Sequence, residues 1–136
     1  MRKRTQARIF ALQVLYQVDI TGDDPNIALD NFWQSMEDSV EEQVREFTGE
    51  LVRGTIDNLE AIDKQISDYA ANWHIKRMAV IDRNVLRLSC YELLFRSDIP
   101  PKVSINEAVD LAKKYSGPEA GKFVNGILDK IKSERA

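Results

Sequence analysis

From Thr5 to Ile131 the apolar residues recur at steps of three and four, and no stretch alternates apolar and polar side chains long enough for a strand. Steps of three and four put side chains on one face of a helix, whereas a half-buried strand repeats every second residue. The chain is therefore expected to be all-α, a compact bundle of about six to seven helices in two helical halves. Its 136 residues can bury roughly two-thirds of the unfolded surface, enough for a core without staples. We read residues 1–136 as a single domain. The pattern loosens around Trp73 to Lys76, which divides an N-terminal half, about 1–72, from a C-terminal half, about 73–136.

The first helix is expected from Thr5 to Ile20, with Ala7, Ala11, Val14, Leu15 and Val18 as its buried stripe. Gly22 and Asp23 break it. Asp24 before Pro25 is a helix cap followed by proline at the first helical position. Ile27, Ala28 and Phe32 are expected to face inward from the short helix that follows. Ser39 and Glu42 have capping-box spacing. They open a pattern that runs to Tyr69, with a kink or break expected near Gly54. A helix from Met78 to Arg96 is apolar nearly all round and should be central. Pro100–Pro101 ends it. Ser104 and Glu107 form a second capping-box pattern, and Gly117–Pro118 separates the last two helices.

Charge is unevenly spread under a net of −3. Residues 1–18 carry Arg2, Lys3, Arg4 and Arg8 and no acid, whereas residues 19–63 carry a net of −11. An acidic protein does not coat nucleic acid indiscriminately, but one basic face can bind it. The single Cys90 excludes a disulfide framework and a cysteine zinc cluster, and its apolar helix makes it a small buried hydrophobe. His74 is the only histidine and has no second ligand for a metal. The Gly49–Gly54 spacing lacks the lysine and the preceding strand of a phosphate loop. No catalytic, metal or cofactor site is expected, so the chain reads as a binding protein rather than an enzyme. No apolar run is long enough to span a membrane and no signal peptide is evident, so a cytoplasmic protein is expected.

Two segments carry nucleic-acid chemistry. Arg2, Lys3, Arg4 and Arg8 concentrate positive charge in one helix start. Each phosphate they neutralise releases counterions, and arginine's planar fork suits phosphate. Lys122, Phe123 and Asn125 place a cation, an aromatic and an amide at another helix start. Such a set can contact phosphate, stack on a base and bond its edge. Without further support, the plain reading of Phe123 is a core residue.

Three blocks go further: Val103-Ser-Ile-Asn-Glu-Ala-Val-Asp-Leu-Ala-Lys-Lys-Tyr115, Lys122-Phe-Val-Asn-Gly-Ile-Leu-Asp129, and Asp82-Arg-Asn-Val-Leu-Arg-Leu88 with Tyr91-Glu-Leu93 and Pro101. Together with Arg8, Ala11, Leu15 and Tyr16 they resemble, collinearly over essentially the whole chain, the NusB family of bacterial transcription antitermination factors. The resemblance implies an all-helical protein with two three-helix-bundle-like halves and no cofactor. It implies pairing with NusE, a small-subunit ribosomal protein, and joint binding of single-stranded boxA RNA on nascent transcripts. The RNA would thereby be tethered to the RNA polymerase elongation complex with other Nus factors, supporting ribosomal RNA synthesis. The family's RNA contacts fall here on Arg2, Lys3, Arg4, Arg8, Lys122, Phe123 and Asn125. Its partner face falls on Tyr16 and Asp82. A homodimer through the same face is left open. The arginine-rich start is interrupted by Thr5 and Gln6, which leaves room for NusE to add contacts.

Two alternatives stand beside this reading. A NusB-like helical module also precedes the catalytic domain of some RNA methyltransferases, although the tail Lys130–Ala136 reads as a natural end. The other alternative is a purely protein-binding bundle that uses the acidic face of residues 37–63.

Overall fold

Helix starts and breakers in the sequence are realised as seven α-helices among the described residues, and no strand is found there. The structure is a computed structural model and describes residues 1–70 and 74–135. The helices are α1 (Lys3–Thr21), α2 (Pro25–Gln34), α3 (Glu42–Asp57), α4 (Leu59–Tyr69), α5 (Val80–Phe95), α6 (Pro101–Ser116) and α7 (Pro118–Arg135), with a 3₁₀ turn, Ile75–Arg77, before α5. None is long and apolar enough to cross a membrane. The all-α expectation holds.

The chain forms two compact units, Met1–Asp57 and Asn58–Ala136. The division expected near 72–73 falls outside the described residues. The long pattern from Ser39 to Tyr69 is two helices, and they part at Asn58, four residues beyond the expected break at Gly54. Asn58 has left the helical region, with φ −113° and ψ 20°. Asparagine tolerates this because its short polar side chain competes for local backbone groups.

In the first unit α1 packs on both α2 and α3. Ala7, Ala11, Val14 and Leu15 of α1 are buried, as are Val44, Phe47, Leu51 and Val52 of α3. Gly22 ends α1 in the left-handed region at φ 75° and returns its N–H to the Val18 carbonyl, a conformation that disfavours other residues. The Asp24 carboxylate caps α2 as expected, accepting from Asn26 N–H at 2.9 Å and Ile27 N–H at 3.4 Å. Two expectations fail here. Ile27 is exposed rather than inward; on α2 the buried residues are Ala28 and Leu29. Ser39 does not start α3, which begins three residues later at Glu42.

Within α3, Thr55 is fully buried and its hydroxyl has no hydrogen-bond partner among the described residues. An orphaned buried hydroxyl is destabilising, and a methyl of the same shape removes the penalty. Thr55→Val is expected to raise stability by about 1 kcal/mol, read as a higher urea midpoint at unchanged slope.

In the second unit α5 is central, packed against α4, α6 and α7. It is buried nearly all round, as its composition requires, and only Phe95 of its large apolar residues is exposed. Asp63 of α4 accepts two parallel bonds from Arg87 of α5, at 2.8 and 2.9 Å. Ser104 is not a cap. α6 begins three residues earlier at Pro101, and the buried Ser104 hydroxyl donates to Glu92 Oε1 at 2.8 Å. The tertiary carboxylate outcompetes the local backbone for that hydroxyl. At Gly121 a Cβ would lie 2.7 Å from Lys113 Cγ, so glycine permits the close approach of α6 and α7.

Cys90 is a free, buried thiol on α5. Burial, reinforced by the negative charge of Asp63, pushes it up to about 12. The nucleophilic thiolate is thereby suppressed. Cys90 is expected to resist iodoacetamide at neutral pH in the folded protein and to label fully in denaturant.

Candidate nucleic-acid interface

Three cations, Arg2, Lys3 and Arg4, sit at the start of α1, and its first turn holds no acid. The helix dipole presents positive charge at that end, so cations there oppose it. Their placement therefore gives α1 itself no dipole stabilisation.

Each of these side chains has a different setting. Arg2 is exposed at the helix cap position and its side chain does not cap. Lys3 Nζ lies 3.0 Å from Glu41 Oε2 and 3.0 Å from Gln43 Oε1 at the start of α3. Both ends of the Lys3–Glu41 pair are more than half exposed, so water screens it and a phosphate can replace Glu41 at little penalty. The exposed Arg4 guanidinium lies 4.3 Å from the centroid of the Phe47 ring of α3. A guanidinium over a ring face is held by the ring quadrupole.

Arg8 departs from expectation. One turn on from Arg4, it is only 2% exposed, with its guanidinium 5.7 Å from the same Phe47 ring. A cation enclosed to this degree does not reach a phosphate from where it stands. It braces α1 on α3 instead. Further along α1, Tyr16 presents an exposed ring, at 41%.

The second unit carries the other candidate residues. Lys122 and Asn125 are exposed on α7. Lys122 Nζ is 3.6 Å from Glu119 Oε1, and both are largely exposed, again a weak pair. Phe123 is half-buried and forms one wall of a cavity of about 400 Å³ with Met78, Asp82, Ser116, Glu119 and Ala120. The family resemblance gives Asp82 to a partner and Phe123 to RNA; the two line the same cavity. Asp82 Oδ1 is buried without a hydrogen-bond partner among the described residues. Met78 and Glu119 share this cavity, which the sequence alone does not show because Met78 precedes α5 and Glu119 lies on α7.

Among the described residues no three His, Cys, Asp or Glu side chains come together as metal ligands.

Comparison with known proteins completes the picture. Residues 5–133 match the profile of the NusB family. A transcription antitermination protein NusB of Anaeromyxobacter dehalogenans is 49% identical over 131 residues, which is 96% of this chain and 91% of that protein. Among solved structures, T. maritima NusB superposes with a TM-score of 0.88 at 38% identity, covering 98% of this chain and 92% of that one. A NusB crystallised with NusE and double-stranded RNA superposes with a TM-score of 0.89 at 34% identity, covering 98% of each chain. Profile, sequence and fold agree over almost the full length, and the chain belongs to the NusB family.

Proposed function

We propose that this protein is a transcription antitermination factor that binds boxA RNA together with NusE and supports processive transcription of ribosomal RNA operons. The observation that carries the proposal is the likeness, over 98% of both chains, to a NusB crystallised with NusE and RNA. The exposed cations fit that role. Arg2, Lys3 and Arg4 contact phosphates, Lys122 adds another, Phe123 stacks on a base, and Asn125 bonds a base edge. Arg8 serves from beneath by fixing the α1–α3 contact. Tyr16 and Asp82 belong to the NusE contact. The protein acts in the cytoplasm by binding alone, gathering transcript and partner into the elongation complex rather than catalysing a reaction.

The test is transcription in vitro through a terminator downstream of boxA, with RNA polymerase, NusE and the other Nus factors. Adding this protein should raise read-through on the boxA template and leave a scrambled-boxA template unchanged. Equal read-through on both templates would remove boxA from the function.

A further inference from the structure

The 3₁₀ turn before α5 carries cations that the roles above do not use. With three residues per turn, side chains three apart eclipse one another. Ile75 and Met78 are such a pair, half-buried and buried respectively. They anchor the turn inward, and Lys76 and Arg77 between them are exposed. The turn is held in place. Arg77 N–H donates to the His74 carbonyl at 2.9 Å, and the Arg83 guanidinium of α5 donates to the Lys76 carbonyl at 3.3 Å. Neither the Lys76 ammonium nor the Arg77 guanidinium has a side-chain partner among the described residues. The sequence holds no acid between Asp68 and Asp82. Asp68 is engaged by Lys64 at 3.1 Å, and Asp82 turns one oxygen into the interior. Met78, the next residue, lines the cavity that Phe123 walls. Lys76 and Arg77 therefore stand within two residues of the place where a base would meet Phe123.

We propose that Lys76 and Arg77 form a second phosphate-binding point, which grips two neighbouring phosphates of the RNA strand whose base meets Phe123. The inference rests on the RNA-binding reading above. Phosphate contacts position a strand without reading its sequence, so these residues should act equally on any RNA.

The experiment is fluorescence anisotropy with labelled single-stranded boxA RNA and a scrambled RNA, over a series of salt concentrations. Lys76→Ala/Arg77→Ala is expected to weaken binding of both RNAs on the order of tenfold at 0.1 M salt, and to make the log–log salt slope shallower by roughly 1.4. Both side chains are exposed, so the melting temperature should not move. Lys130→Ala/Lys132→Ala removes the same charge about 12 Å or more along α7 from Lys122 and should leave affinity and slope nearly unchanged. Unchanged RNA affinity in the folded Lys76→Ala/Arg77→Ala protein would overturn the inference, whatever that variant does to NusE pairing. An equal loss in the Lys130→Ala/Lys132→Ala control would overturn it too, since net charge alone would then explain the effect. If the unaltered protein binds neither RNA, the RNA-binding reading itself fails. If it binds and responds to changes at Arg2, Lys3 and Arg4 but not at Lys76 and Arg77, only the second phosphate point fails.

Discussion

Replacing Arg2, Lys3 and Arg4 together by alanine is expected to lower RNA affinity about a hundredfold at 0.1 M salt while leaving the fold intact. Three phosphate contacts on a single strand contribute roughly 0.7 each to the log–log salt slope, so that slope should fall by roughly 2. The fold should survive because the three residues lie at the exposed start of α1. Removing cations from the positive end of a helix even favours that helix slightly. The interactions forfeited include the exposed ion pair of Lys3 with Glu41, its exposed hydrogen bond to Gln43 and the contacts of Arg4, among them the one with Phe47. Circular dichroism melts on the same preparation separate the two effects: RNA affinity should collapse with the melting temperature within a few degrees of the parent.

Arg8→Ala is expected to do the opposite. Arg8 is buried and its guanidinium faces Phe47 of α3. Truncation removes a desolvated cation–π contact and the packing of the long side-chain stem. The loss should be about 2–3 kcal/mol, read as a lower urea midpoint with little change in slope. RNA affinity of the protein that remains folded should fall far less than in the triple variant. If Arg8→Ala left stability untouched and abolished RNA binding, Arg8 would have to leave its buried position to reach the strand.

These two variants also mark what was legible beforehand. The basic start of α1 was plain from residue types alone, because no acid interrupts it. That Arg4 is exposed while Arg8 is enclosed was not legible. Spacing of four puts both on one face, but the depth of each depends on Phe47, which is far along the chain on α3. Local signals succeeded where the backbone itself supplied the partner, as with Asp24 capping α2. They failed where a distant side chain competed. Ser104 carried a capping pattern, yet its hydroxyl belongs to Glu92. The α3–α4 junction at Asn58 was blurred because the apolar pattern runs on at helical spacing, and Gly54 was the more conspicuous breaker. The sequence signal for Lys76 and Arg77 is a run without acids from Tyr69 to Ile81. Only the turn geometry shows that both side chains face outward.

The cavity shared by Asp82 and Phe123 gives the proposed division of labour a physical basis. A partner seated beside Asp82 would fill space next to the aromatic wall. RNA and protein partner would then meet across one wall of the second unit, and each could pre-order the other's contacts.

The most direct test of the account is RNA binding with and without NusE. Anisotropy of labelled boxA RNA should show weak binding by the protein alone and tighter binding when NusE is added. Scrambled RNA should gain much less, and Asp82→Ala should reduce the NusE-dependent gain. Equal affinity for boxA and scrambled RNA, unmoved by NusE, would contradict the account at its centre.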